Sequence, residues 1–161
     1  MTGGAQKVSI CLWFDNQAED AAKFYTSLLP NSRIGAISRY GANQPMPEGT
    51  ALTVAFELGN ASFIALNGGP HFRFTEATSI VVKCDTQAEI DELWARLLEN
   101  GGTEQQCFWL KDRFGLSWQI VPAQLEHWLS GDKLAAARVM SAVLASVKAD
   151  IPNLQRAFDG N

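Results

Sequence analysis

Phe14-Asp15-Asn16-Gln17-Ala18-Glu19 and Cys84-Asp85-Thr86-Gln87-Ala88-Glu89 are two versions of one pattern, seventy positions apart in a chain of 161 residues. The same shift carries Ile10 to Ile80, Phe24 to Trp94 and Leu28 to Leu98. A repeat of this period marks a duplicated supersecondary unit. Each copy opens with a short apolar run, residues 8–14 and 79–84, and then meets an Asp and a helical stretch. Asp15 or Asn16, and Asp85 or Thr86, suit the helix start, because a short side-chain oxygen can accept a free N–H of the first turn. Helices are predicted over 18–29 and 87–99. Ala21, Phe24, Tyr25 and Leu28 fall at helical spacing in the first, and Ile90, Leu93, Trp94, Leu97 and Leu98 in the second.

Strands follow each helix. In the first copy they are expected at 32–40, 51–58 and 62–66, with Gly59-Asn60 as a hairpin turn. In the second they are expected at 105–110 and 116–121, joined through Asp112-Arg113-Phe114-Gly115. There Asp112 can accept from the following backbone N–H groups and Gly115 can take a positive φ. Neither half buries a closed core alone, so the two sheets are expected to pair across a pseudo-twofold axis. The tail differs in character. Helices are predicted at 124–128 and 135–147, with Leu134, Val139, Val143 and Val147 as an apolar stripe. Asp150-Ile151-Pro152 is expected to end the longer one, and 154–158 to add a last turn or two.

Composition narrows the function classes. About 47% of residues are apolar and 19% charged, the balance of a globular domain, and the net charge is -4. No basic nucleic-acid footprint is present. The apolar runs are too short to cross a membrane, and the first residues are not expected to act as a signal peptide. Cys11, Cys84 and Cys107 lack paired spacing, which points to reduced thiols and a cytoplasmic setting. At this length a Rossmann enzyme with a second catalytic domain is not expected.

Several stretches narrow the reading further. They are Leu12-Trp13-Phe14-Asp15, Ala22-Lys23-Phe24-Tyr25, Phe63-Ile64-Ala65-Leu66-Asn67-Gly68-Gly69-Pro70, Gln106-Cys107-Phe108-Trp109-Leu110-Lys111-Asp112-Arg113-Phe114-Gly115 and Leu116-Ser117-Trp118-Gln119-Ile120-Val121-Pro122. On these the chain resembles the PhnB-like branch of the vicinal oxygen chelate (glyoxalase/bleomycin resistance/dioxygenase) superfamily, over about residues 8–158. Members of that branch often carry the label 3-demethylubiquinone-9 3-methyltransferase. The resemblance implies an α+β fold of tandem βαβββ modules, about 8–68 and 78–122, forming curved mixed sheets around a cavity. Residues 1–122 would make one glyoxalase-like domain, and 123–161 a C-terminal helical extension. It also implies a homodimer, and edge strands gain from being covered.

The methyltransferase label implies S-adenosylmethionine, which a Rossmann-type enzyme holds at a glycine-rich turn between strand and helix. The turn here, Asp15-Asn16-Gln17-Ala18, has no glycine, and no such site is read. Metal-using members of the superfamily place His and Glu ligands on cavity faces. The resemblance sets those positions near Ser9, Ser79 and Gln119, with Phe63, Ala65 and Asn67 on the hairpin strand. Hydroxyl and amide groups are poor ligands for a divalent ion, so neither a metal nor another cofactor is expected.

By period two, Ser9, Cys11 and Trp13 should face the cavity in the first copy, and Ser79, Val81 and Lys83 in the second. Trp13, Asn67, Trp109, Lys111 and Gln119 are the expected ligand-binding residues, with aromatic walls and amides that orient a small, partly aromatic or amphipathic molecule. Trp118 should point to the helix side. Cys107 is the best nucleophile, needing a base or cation beside it. His71, in the loop between the halves, suits proton transfer. Three functions remain open: metal-free binding or sequestration of a small molecule, an isomerase, lyase or transferase-like enzyme of the same fold, or a partner protein docking through its tail helices.

Overall fold

The computed structural model describes residues 7–161. The chain divides into two compact units, one ending at Arg73 and the other beginning at Phe74. The first unit holds β1 (Ile10–Phe14), α1 (Ala18–Thr26), β2 (Arg33–Arg39), β3 (Ala51–Leu58) and β4 (Ala61–Asn67). Its sheet has the order β1-β4-β3-β2, with β1 and β4 parallel and the other pairs antiparallel. The second unit repeats this. It holds β5 (Ser79–Cys84), α2 (Gln87–Leu98), β6 (Thr103–Glu104), β7 (Trp109–Lys111) and β8 (Ser117–Pro122) in the order β5-β8-β7-β6, with β5 and β8 parallel. The α+β class, the tandem βαβββ modules and the C-terminal helices are all present.

Each helix covers one face of its own sheet. In the first unit Ala18, Ala21, Ala22 and Tyr25 are fully buried against Leu12, Phe14, Val54, Phe56, Phe63 and Ala65. Small residues on α1 let the helix approach closely, and the large rings come from the sheet: Phe56 and Phe63 stack at 5.2 Å, with Tyr25 at 6.2 Å from Phe56. In the second unit Ile90, Leu93, Trp94 and Leu97 bury against Val82, Leu110, Trp118 and Ile120. Each fully buried side chain of this size contributes roughly 1.5–3 kcal/mol from apolar area removed from water. Trp118 lies on the helix side as expected, and its Nε1 donates to Asp112 at 2.8 Å.

The turns follow their residues. Gly59 and Asn60 both have positive φ, 52° and 69°, the geometry that lets a two-residue hairpin follow the strand twist. Asp112 Oδ1 accepts from Phe114 N at 2.8 Å and Leu116 N at 3.1 Å, and Gly115 sits at φ 85°.

Four expectations need correction. The helix from Ala18 ends at Thr26, where Ser27 N–H turns to Phe24 O. Its cap is neither Asp15 nor Asn16: Gln17 occupies the cap position, and its side chain caps no N–H of the helix. The strand expected over 105–110 is interrupted, because Cys107 and Phe108 both take left-handed backbone, φ 60° and 69°. Their N–H groups leave the sheet and donate to Ser146 O at 2.9 Å and Val147 O at 2.8 Å. The tail stripe is also turned. In α4 (Lys133–Leu144) Val139 and Val143 are buried, but Leu134 is exposed.

The tail consists of α3 (Leu125–Ser130), α4 and α5 (Ile151–Asp159). Asp132 and Asp150 cap the last two, accepting from Ala135 N and Asn153 N at 2.8 Å each. Pro152 sits in the first turn of α5, where it starts that helix. The tail belongs to the second unit. Gln87 on α2 donates to Ala149 O and accepts from Ile151 N, and Lys148 pairs with Asp91 at 2.6 Å.

Candidate functional site

Both sheets have a face turned away from their helix. On the second sheet, cross-strand register sets Ser79, Ser117 and Lys111 in one row, and Val81, Gln119 and Trp109 in the next. The two rows are tied together, since Gln119 Nε2 donates to Ser79 Oγ at 2.8 Å. Lys111 Nζ lies 2.6 Å from Glu76 Oε1, and Gln105 Nε2 donates to the same oxygen at 3.1 Å. Hydrogen bonding to Lys111 first, then to its own backbone N–H and to Gln105, holds the Glu76 carboxyl down at about 2. Val81 is half exposed and Trp109 and Gln119 are partly exposed, so this face is accessible.

The first unit contains Trp13, Asn67 and His71. Trp13 lies on the face away from α1, as expected, opposite Leu66. Its Nε1 donates to Gly69 O at 2.9 Å, and Phe72 meets its ring edge-on at 4.9 Å. Gly68 leaves room for the indole, because a Cβ on it would sit 2.2 Å from the Trp13 ring and force it to shift. His71 is exposed in the loop after β4.

Asn67 is on the other face, which corrects the expected orientation of the whole strand. Parallel pairing sets Ala65 opposite Leu12 and Asn67 opposite Phe14, on the side covered by α1. Asn67 is buried, its Oδ1 accepts from Ala18 N at 2.8 Å, and its Nδ2 donates to Ala51 O at 2.9 Å. It supplies the acceptor that the α1 cap lacks, and its polar atoms are spent on backbone.

Cys107 is partly exposed and, with left-handed backbone, lies before β7 and not on the strand that carries Lys111. It is a free thiol, and a nucleophilic role would need a base or cation beside the sulfur. His127 meets the Phe158 ring at 5.7 Å, a packing contact within the tail.

Sequence reasoning missed Ser117 on the second sheet and Glu76 and Gln105 in the loops beside it. It also missed Arg33 and Glu57 on the first, which pair at 2.8 Å beside a cavity of about 210 Å³ lined by Ser9, Gly35, Ala55, Ser62 and Ile64. The usable signal was register: Arg33 and Glu57 are direct cross-strand partners.

The family model for 3-demethylubiquinone-9 3-methyltransferase matches residues 6–121. The chain belongs to this PhnB-like family of the vicinal oxygen chelate superfamily. A PhnB protein from Bacillus cereus is 36% identical, with 73% of this chain covering 100% of that one at a TM-score of 0.68. A Pseudomonas aeruginosa protein is 21% identical, over 73% of this chain and 98% of its own, at 0.58. The Listeria monocytogenes fosfomycin resistance protein FosX, solved with Mn(II) and sulfate, is 14% identical over 76% and 93% at 0.51, a likeness of fold alone. No curated protein matches the sequence. Residues 123–161 lie beyond the part that the PhnB-like family model spans.

The residues present fit neither group that these names suggest. For a divalent ion, Ser79 and Gln119, the positions where the resemblance led us to expect ligands, carry a hydroxyl and an amide that are bonded to each other. No three His, Cys, Asp or Glu side chains among the described residues converge as a metal would need. For S-adenosylmethionine, both strand-to-helix turns are closed. Asn67 fills the start of α1, and Thr86 with Glu89 fills the start of α2 as a reciprocal capping box.

Proposed function

We propose that this PhnB-like protein binds or sequesters a small, partly aromatic or amphipathic molecule without a divalent metal. The observation that carries the reading is the 2.8 Å bond from Gln119 to Ser79. It turns two positions suited to ligating an ion into a neutral polar pair. Beside that pair Trp109 offers an aromatic wall and Lys111 a cation, the mixture of apolar surface and few polar groups that small-molecule sites use. In the first unit, taken by itself, Trp13 offers an aromatic surface on the sheet face away from α1. A homodimer in the cytoplasm fits the family and the three unpaired thiols.

Metal analysis of the purified protein together with Nile red titration tests this. The expected result is metal well below one ion per chain and saturable dye binding that EDTA leaves unchanged and Trp109→Ala weakens. Stoichiometric zinc, nickel, manganese or iron that disappears in Gln119→Ala would overturn it.

The second reading, an isomerase, lyase or transferase-like enzyme, rests on the left-handed backbone at Cys107, since strained residues gather at active sites. The two N–H groups committed to Ser146 and Val147 give that strain a simpler cause. His71, exposed in its loop, adds a proton-transfer group to this reading only.

A further inference from the structure

Ser117 is fully buried, and its hydroxyl is the one buried side-chain oxygen or nitrogen among the described residues without a hydrogen-bond partner. Leaving such a group unmet is costly, and an alanine in its place would avoid the cost. The hydroxyl belongs to the face away from α2, because its neighbours Trp118 and Ile120 are buried on the helix side. Ser79 flanks it on β5 and Lys111 on β7. Both flanking groups are engaged elsewhere, Ser79 with Gln119 and Lys111 with Glu76.

Glu76 is the loosest member of this cluster. It precedes β5 in an exposed turn closed by Thr78 N to Thr75 O. Its carboxylate is held by the side chains of Lys111 and Gln105 and by its own backbone N–H, none of them a bond of the sheet, so it can swing out without breaking a strand. Its side chain is 52% exposed against 29% for Lys111, so the cation stays near the sheet when the carboxylate leaves.

We propose that Ser117 and Lys111 form a recognition site for an anionic oxygen group of the ligand, a carboxylate or a phosphate, and that Glu76 is the internal carboxylate the ligand displaces. A bound anion would accept from the Ser117 hydroxyl and from the Lys111 ammonium, completing both. The inference rests on the reading of this face as the ligand-binding surface and adds the charge of the ligand to it.

The test is tryptophan fluorescence titration of the full chain with sodium phosphate and, separately, sodium acetate, at constant ionic strength set by chloride. At least one anion should bind saturably, and which one separates a phosphate from a carboxylate ligand. Glu76→Gln removes the competing charge and should tighten binding about tenfold, and Ser117→Ala should weaken it about tenfold, the usual scale of one charge-assisted hydrogen bond. Thermal melts keep the test decisive, because Ser117→Ala should melt no lower than the parent protein. No saturable response in either the parent or Glu76→Gln, or affinity in Ser117→Ala or Lys111→Met equal to the parent's, would overturn the proposal. If Nile red binds and the anions do not, the small-molecule reading stands and this inference falls. If neither binds, both fall.

Discussion

Asn67, the last residue of β4, accepts at 2.8 Å from the backbone N–H of Ala18, the first residue of α1, across 49 positions of chain. One side chain thus caps a helix, bridges to Ala51 O and orients the helix on its sheet. Asn67→Ala strips the acceptor from Ala18 N–H and the donor from Ala51 O in a buried place. Loss of a cap and of a buried hydrogen bond together should cost about 2–3 kcal/mol. Urea denaturation should show this as a lower midpoint with an unchanged slope. Trp109-dependent binding should persist where the fold does, because Asn67 is on the helix face.

Glu76 supplies a pH signature. Its carboxyl is lowered from 4.5 to about 2, first by the hydrogen bond from Lys111. A depressed carboxylate contributes stability above its unfolded value, and that contribution is lost as pH falls from about 4.5 through 2. The carboxylate is at the surface, so the change in stability will be small. NMR titration of the Glu76 side-chain carbon should give a midpoint near 2 in the parent protein. In Lys111→Met the midpoint should move back toward 4.5, and an unmoved midpoint would refute the pairing.

Cys84 should behave as an inert thiol. Burial first, then the nearby Glu89 and Asp85 carboxylates, raise it from 9.0 to about 11. A raised folded value means that the thiol's contribution to stability is full below pH 9 and is lost as pH climbs through 11. Iodoacetamide at pH 8 should therefore modify Cys84 only after unfolding, while Cys107, partly exposed, reacts in the native protein. Peptide mapping by mass spectrometry reads both.

Gly68→Ala probes the Trp13 corner. The new methyl would press on the indole from 2.2 Å, so the ring must move and the Trp13 Nε1 bond to Gly69 O must lengthen or break. Overpacking of this kind typically costs about 1–3 kcal/mol. A lowered melting temperature together with a shifted tryptophan emission maximum should accompany it.

What the sequence discloses and what it hides divide along physical lines. The seventy-residue shift, both helices and the Gly59-Asn60 and Asp112-Gly115 turns are local, and local patterns are written in adjacent residues. Thr86 could be read as a cap because Glu89 stands three residues on. The α1 cap could not, since its acceptor comes from Asn67 on a different strand. The facing of β4 could have been found: it pairs in parallel with β1, so Ala65 and Asn67 must share the side of Leu12 and Phe14. Cys107 and Phe108 carry no sign of left-handed backbone, because neither is Gly or Asn and their acceptors, Ser146 and Val147, are far along the chain. Lys111 and Gln119 were legible as polar residues on strand faces. Glu76 and Ser117 were not, because a lone loop carboxylate and a strand serine acquire meaning only from the neighbours that register gives them.

The bend at Cys107 and Phe108 has a consequence for any attempt to shorten or transplant the C-terminus. Ser146 and Val147 serve as the hydrogen-bonding neighbours that a straight strand would have found within its own sheet. A gene cut after β8 would leave two amides without their acceptors, while the helical tail spliced onto a sheet without the kink would arrive with two carbonyls and no donors. The appendage and the kink are halves of one joint, and each is a poor candidate for exchange without the other.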